Sequence, residues 1–299
     1  MADPSVDALY EQVRTVVAPA EGVVPDHLVP VASGIRVLAL RTPTLPPAAH
    51  TNTYLVGPDR GPQLLVDPGS PYADQQAVLD RVLEAEADAG RPLGMVALTH
   101  HHGDHVGGAM ATAARWNVPI AAHANTVRRL AGRVEVTREL AAGETLDDYE
   151  VTCVFTPGHA DGHLCFERGG ASIVGDMVAG IGTILIDPSE GDMAEYLDSL
   201  AALLARPATT LLPAHGPVIA EGPTKLREYI AHRTMRENKV LAALGEHADA
   251  SLDDLVPSAY ADTPRMLWPL AKRSMRAHLD KLVREGRARA VAPDRWTSR

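Results

Sequence analysis

Thr99-His100-His101-His102-Gly103-Asp104-His105 follows directly on the apolar run Met95-Val96-Ala97-Leu98 and packs four metal-ligand side chains, His100, His102, Asp104 and His105, close together. Side chains two apart on an extended segment point the same way, so His100 and His102 are expected to grip one ion from a strand end. Asp104 and His105 then turn toward a second ion, while His101 points the opposite way and is expected to be structural. The chain has 13 His in 299 residues, and chance would yield the His-x-His-x-Asp-His pattern roughly 0.002 times in such a chain. Imidazoles this close repel one another when protonated, and a shared cation accounts for their spacing.

An open catalytic metal position uses about three protein ligands, so two metals need more than this loop supplies. Three further residues each stand just past an apolar, strand-like run. They are His159 after Thr156-Pro157-Gly158, Asp176 after Ser172-Ile173-Val174-Gly175, and His215 after Thr210-Leu211-Leu212-Pro213-Ala214. Residues at the ends of several strands can meet at one sheet edge. His123, after Ile120-Ala121-Ala122, has no partner motif and is expected to be structural.

Strand-like runs at Ile35 to Leu40, Asn52 to Val56 and Gln63 to Val66 precede a helix expected to begin near Ser70-Pro71, to bury Val78, Leu79, Val82 and Leu83, and to stop at Gly90. The strand Gly94 to Leu98 and a helix from Val106 to Trp116 follow, with Asp104 and His105 at that helix's positive end. The alternation of strands and helices argues a layered α/β domain. Cys153 and Cys165 lie in no paired motif and are expected to be free thiols. The N-terminal Met1-Ala2-Asp3-Pro4-Ser5-Val6-Asp7 lacks the order of a signal peptide, and no apolar run is long enough to span a bilayer. A cytoplasmic protein with no membrane partner is expected.

In this order, the candidate ligands resemble those of the metallo-β-lactamase-fold hydrolase superfamily across roughly residues 30 to 220. The resemblance implies an αββα sandwich holding two Zn2+, with Fe or Mn as the alternative metal. It would place His100, His102 and His159 on the first ion, Asp104, His105 and His215 on the second, and Asp176 between them. Asp67, in Leu64-Leu65-Val66-Asp67-Pro68-Gly69, matches a recurring position whose role is to support a ligating imidazole, and it reads equally as an ordinary turn aspartate. His163 reads as support of the same kind or as loop packing.

After Gly222-Pro223 the character changes. Residues 225–299 hold 15 Lys and Arg against 10 Asp and Glu, a balance of +5, so the overall −10 leaves −15 on residues 1–224. Helices are expected from Thr224 to Leu244, Leu252 to Ala261 and Leu270 to Glu285, then a two-stranded wing spanning Arg287 to Val291 and Arg295-Trp296. Three helices and a hairpin are winged-helix order. The chain thus divides into a catalytic domain, 1–222, and a winged-helix-like module, 223–299. That module, with Tyr229-Ile230-Ala231-His232-Arg233, makes the chain similar to the β-lactamase-like protein 2 branch of the superfamily. His232 either reaches the substrate cleft or only packs. Lys272, Arg273, Arg276, Lys281 and Arg284 either contact nucleic-acid phosphates or form a solvated helix face while the module walls the cleft.

The resemblance implies a hydrolase using a metal-bridging hydroxide, with Asp104 and Asp176 orienting the nucleophile or returning a proton. β-Lactamases resembling this fold generally lack the bridging aspartate, and flavodiiron proteins carry a glutamate where His102 stands. The favoured partner is a small acyl ester or thioester, because an acidic catalytic domain repels polyanions. Cleavage of single-stranded RNA, an iron-dependent persulfide dioxygenase and a non-enzymatic regulator are the alternatives.

Overall fold

Alternation along the strands assigns the layers. Tyr54, Val56, Leu64, Val66, Met95 and Ala97 share one core cluster, while Leu55, Leu65, Val96 and Leu98 belong to another on the opposite face, as a two-residue side-chain period requires. The computed structural model describes residues 6–19 and 24–299, so Met1–Ser5, part of the stretch read for a signal peptide, lie outside the described residues.

The first sheet has seven strands in chain order: β1 (Val29–Ala32), β2 (Ile35–Arg41), β3 (His50–Val56), β4 (Gln63–Val66), β5 (Leu93–Ala97), β6 (Ile120–His123) and β7 (Arg138–Leu140). Pairing is antiparallel from β1 to β4 and parallel from β4 to β7. The second sheet comprises β8 (Thr145–Leu146), β9 (Val151–Phe155), β10 (Leu164–Arg168), β11 (Ala171–Gly175) and β12 (Thr210–Pro213), with β11 and β12 parallel. Cys153 and Leu164 of the second sheet pack against Tyr54 and Met95 of the first, so the sheets face each other across one core.

Helices cover both outer faces. An N-terminal helix, α1 (Val6–Val16), lies apart from α2 (Ala73–Asp88), α3 (Gly103–Val106), α4 (Ala109–Trp116) and α5 (Ala124–Leu130), of which α2 and α4 bury Leu79, Leu83 and Ala109 against the first sheet. Tyr196, Leu200 and Leu203 of α6 (Met193–Leu204) cover the second sheet. The result is the expected αββα sandwich. The thiols of Cys153 and Cys165 are free and buried in β9 and β10.

Two helix boundaries differ from expectation. Ser70 does not cap α2; its hydroxyl donates to the Arg41 carbonyl at 2.6 Å, and the helix begins at Ala73. The helix expected from Val106 to Trp116 is broken at Gly107-Gly108, so Asp104 and His105 occupy the single turn of α3 instead of the end of the longer helix. The break follows from close packing on the Asp67-Pro68-Gly69 turn. Gly108 donates its N–H to the Pro68 carbonyl at 2.8 Å, and a Cβ there would lie 2.5 Å from that oxygen. A Cβ on Gly69 would lie 1.8 Å from the Asp104 carbonyl oxygen, so only glycine lets the two turns meet.

The C-terminal module contains α7 (Gly222–Gly245), α8 (Leu252–Ala259), α9 (Trp268–Arg284) and an antiparallel wing of β13 (Ala288–Ala292) and β14 (Arg295–Ser298). Leu226, early in α7, packs with α6, whereas Val240, Ala243 and Leu244 join Leu255, Met275 and Trp296 in the module's own core. We propose the domain division at 222/223, with α7 as the shared rod. Leu9 and Val13 of α1 close the other side against Leu270. Among the described residues no helix is long and apolar enough to cross a membrane.

Candidate metal centre

The expected ligands converge where β5, β9, β11 and β12 end. His100, His102, His159 and Asp176 offer ligand atoms all within 4.8 Å of one another, as do Asp104, His105 and His215. In the first group His100 Nε2, His102 Nδ1 and His159 Nε2 are separated by 2.8, 3.0 and 3.2 Å.

Each ring's other nitrogen is already committed. His100 Nδ1 meets Thr99 Oγ1 at 2.9 Å, and that hydroxyl donates to Asp67 Oδ2 at 2.6 Å, so it accepts from the imidazole. His102 Nε2 faces Glu190 Oε1 at 2.8 Å, and His159 Nδ1 faces the Leu185 carbonyl at 2.9 Å. The three inner nitrogens therefore present lone pairs to one another. Such a triangle is repulsive unless a cation or proton sits among them, so this donor set fits a metal.

The second group is built on the same rule. His105 Nδ1 donates to Asp67 Oδ2 at 2.8 Å, and His215 Nδ1 to the His50 carbonyl at 3.0 Å. Their Nε2 atoms point at carboxylates: His215 lies 3.3 Å from Asp176 Oδ1 and 3.5 Å from Asp104 Oδ2, and His105 lies 3.6 Å from Asp176 Oδ1. His105 Nε2 and Asp176 Oδ1 are buried without a hydrogen-bond partner among the described residues. The other oxygen of Asp176 lies 3.6 Å from His159 Nε2, so one carboxylate touches both groups.

The two groups differ in charge. Burial, then the neighbouring imidazoles of His105, His102 and His159, hold His100 well below the ordinary imidazole pKa, and burial brings His159 down to about 4. Burial also opposes protonation of His105, but Asp104, Asp176 and Asp67 outweigh it and hold its pKa well above the ordinary value. His215 is raised in the same way, by Asp176 and then Asp104. Burial also opposes protonation of His102, but Glu190 outweighs it and raises its pKa, so the low-pKa imidazoles are His100 and His159, while carboxylates dominate the other side.

Asp67 is more than a turn residue. It is buried with φ of 53° and also accepts from the Thr99 N–H at 2.8 Å, so one carboxylate orients an imidazole in each group. His163 packs beneath the centre, meeting Thr156 Oγ1 at 2.8 Å and accepting from the Asp176 N–H at 3.3 Å. His123 stays outside, stacked on Phe155 and capping α5.

The strand does not continue through His100 to His102, and the chain bends at Thr99-His100. Because β5 ends at Ala97, the chain turns, and His101 joins His102 on Glu190, its Nε2 lying 3.0 Å from Oε2. Glu190, missed in the sequence, sits on the irregular segment before α6, where no motif or periodicity marks it. Tyr10 of α1 is also missed; it lines the small chamber over the ligands, a space of about 40 Å³ bordered by His102, Asp104, His159, Asp176 and His215. Burial, reinforced by Asp104 and Asp176, keeps its phenol well above the usual range and therefore protonated. His232 lines an adjoining cleft, not this chamber.

The α9 cations, read either as phosphate contacts or as a solvated helix face, lie against carboxylates. Arg273 lies 3.6 Å from Asp187 and Arg284 2.6 Å from Asp192, so both tie α9 to the catalytic domain. Lys272 pairs with Asp253, Arg276 with Asp280 and Asp294, and Lys281 with Glu237 and Glu285.

Residues 46–215 match the family model described as the metallo-beta-lactamase superfamily, and residues 251–296 match the beta-lactamase associated winged helix domain. Among curated relatives, the beta-lactamase-like protein 2 homolog of Drosophila melanogaster is 31% identical over 276 residues, covering 86% of this chain and 90% of its own. An atrochrysone carboxyl ACP thioesterase of Passalora fulva is 32% identical over 213 residues, covering 70% of this chain and 61% of its own. A beta-lactamase domain protein from Burkholderia ambifaria superposes with a TM-score of 0.76 at 24% identity, covering 95% of this chain and 96% of its own, and shares the fold.

Proposed function

The chain belongs to the metallo-beta-lactamase superfamily of hydrolases, and on that premise we propose that it is a binuclear zinc-dependent hydrolase of small acyl esters or thioesters. The observation that carries this reading is Asp176, whose two oxygens face His159 on one side and His105 and His215 on the other. In this reading His100, His102 and His159 hold one ion, Asp104, His105 and His215 hold the second, and Asp176 spans both.

Bound zinc lowers the pKa of water and polarises a carbonyl. The protein's own groups do the rest. Glu190, Thr99 and Asp67 fix which imidazole nitrogen faces inward. Asp104 and Asp176 line the reaction chamber, where a carboxylate oxygen can take the proton of the attacking water and return it to the departing thiol or alcohol. The protonated Tyr10 hydroxyl on the same chamber can donate to a substrate oxygen. Water and a thioester thus become a carboxylic acid and a thiol.

Three observations support a small substrate over RNA. The reaction chamber is narrow, the candidate phosphate-binding cations of α9 already pair with carboxylates, and one relative is named a thioesterase. The buried free thiols suit the cytoplasm, where we place the enzyme. Elemental analysis should find close to two zinc ions per chain, and the zinc-loaded protein should hydrolyse simple thioesters. One firmly bound iron, with oxygen uptake on a persulfide, would overturn this reading in favour of a dioxygenase.

A further inference from the structure

The reaction chamber adjoins a second space of about 540 Å³ between the catalytic domain and the C-terminal module, and the two share Leu45, Pro46, Pro47 and the stretch Gly182 to Leu185 as a common wall. The small chamber has room for the reacting carbonyl and little else. The larger cleft is of a size that holds an organic ligand. Near the shared wall its lining is apolar, with Val13, Leu45, Ile184, Leu185 and Leu270.

Arg233 and Tyr260 add polar groups to the same lining. Arg233 is 4% exposed, and no carboxylate pairs with its guanidinium among the described residues. Arg233 Nη2 donates to the Ile184 carbonyl, while Nε has no partner among the described residues. Its neighbour Arg236 is satisfied, pairing with Asp262 at 2.8 Å and donating to the Ala259 carbonyl at 2.8 Å. Tyr260, 6% exposed on the same lining, likewise leaves its hydroxyl without a partner among the described residues. Beyond the Ile184 carbonyl the guanidinium lies over the Tyr196 ring, 5.4 Å from its centroid. A buried cation without a carboxylate and a buried hydroxyl without a hydrogen bond are both unfavourable until an acceptor arrives. One arginine and one phenol suit a single carboxylate, which accepts from both.

We propose that this cleft is the acyl-arm subsite of the hydrolase proposed above, and that Arg233 and Tyr260 select an acyl arm ending in a carboxylate. The inference rests on that functional reading for the word acyl, but the recognition of an apolar acid does not depend on catalysis. The motif Tyr229-Ile230-Ala231-His232-Arg233 then has a purpose: Tyr229, His232 and Arg233 all line this cleft.

The test pairs octanedioyl and octanoyl thioesters of N-acetylcysteamine, which differ only in the terminal carboxylate. Zinc-loaded full-length protein should favour the octanedioyl ester by about tenfold in kcat/KM. Arg233→Met should bring the ratio to within about twofold, with Arg233→Lys in between. Calorimetry with free octanedioate and octanoate supplies a readout without turnover: octanedioate should bind the wild type more tightly than octanoate, and Arg233→Met should erase the difference. Thioesters hydrolysed without preference, or a preference that survives in Arg233→Met, would overturn the acidic-arm subsite and leave the hydrolase intact. Neither thioester hydrolysed while octanedioate still binds through Arg233 would uphold the subsite and remove the hydrolase reading. Failure of both turnover and octanedioate binding overturns the subsite as well. Should Arg233→Met not fold, Tyr260→Phe carries the test, and a preference untouched by loss of the hydroxyl overturns the proposal.

Discussion

The metal centre and the cleft beside it share one wall but are assembled from different parts of the chain. Every candidate ligand comes from residues 100–215, at strand ends of the sandwich. The cleft takes its walls from α1, α7, the segment before α9 and α9 itself, as well as from loops of the sandwich. In the centre, each inward nitrogen is fixed by an acceptor behind it, whether Thr99, Glu190, Asp67 or a carbonyl. On the cleft's lining Arg233 and Tyr260 keep polar atoms with no such partner among the described residues. The first region is organised to fix geometry, and the second lines its cavity with a buried arginine that has no carboxylate partner among the described residues. Chemistry should therefore be lost by changes in the first region, and selectivity by changes in the second.

The strongest way to break this comparison is Asp176→Ala. Removing the carboxylate that touches both ligand groups should lower kcat at least about 10³-fold and bring metal content from two ions per chain toward one. Circular dichroism and the melting temperature should change little, since Asp176 lies past the end of β11. Near-wild-type turnover would show that Asp176 does not connect the two ions.

Glu190→Gln probes the support beneath the ligands. The neutral amide weakens the contact that turns His102 Nδ1 inward, and loss of such a partner typically costs 10- to 100-fold in metal affinity or activity. Competition with a chelator should show the loss confined to one of the two ions, with KM nearly unchanged. An equal loss at both ions would mean that Glu190 holds the loop as a whole.

The difference between these two residues also explains what the sequence reveals. The seven candidate ligands are legible because four fall within residues 100–105 and three follow strand-like runs broken by Pro or Gly. Glu190 is illegible because it reaches His101 and His102 from 89 and 88 residues away on a segment without regular structure. Strand alternation also misleads at His101, since β5 ends at Ala97 before the histidines begin. The helix break at Gly107-Gly108 is visible in composition, but its cause, the approach of the Asp67-Pro68-Gly69 turn, is a tertiary contact. Arg233 stands within a recognisable motif, yet its burial without a carboxylate partner emerges only when α7 packs against the sandwich.

A smaller effect is expected from the module that walls the cleft. Burial opposes ionisation of Glu237, but His278, Lys281 and Arg287 outweigh it and bring its pKa from 4.5 to about 2. A depressed carboxylate pKa contributes stability that is fully present above the unfolded value and is lost as pH falls through the folded one. The window is therefore pH 4.5 down to 2, and after allowance for solvent screening the contribution is about 2 kcal/mol. Urea unfolding of metal-free protein, followed by Trp fluorescence at pH 6 and pH 3, should show a loss larger in the wild type than in Glu237→Gln by about this amount. An equal loss in both proteins would assign the acid sensitivity to other carboxylates.

The smallest effect decides whether α9 is a cleft wall or a nucleic-acid surface. Lys272 and Arg276 pair with Asp253, Asp280 and Asp294 on the outer side of the module, all partly exposed. Exposed pairs of this kind contribute less than about 1 kcal/mol each, and neither residue lines the reaction chamber or the cleft. Lys272→Glu/Arg276→Glu should therefore shift the melting temperature by only a few degrees and leave thioester turnover within about twofold. An RNA-binding surface would respond in the opposite sense, because each lost phosphate contact weakens binding and flattens its salt dependence. Robust RNA cleavage by the wild type that falls steeply with salt and vanishes in the double variant would make α9 an interface and the small-molecule reading untenable. Weak cleavage that is indifferent to the two substitutions leaves α9 as the outer wall of the cleft, with its charges spent on its own carboxylates.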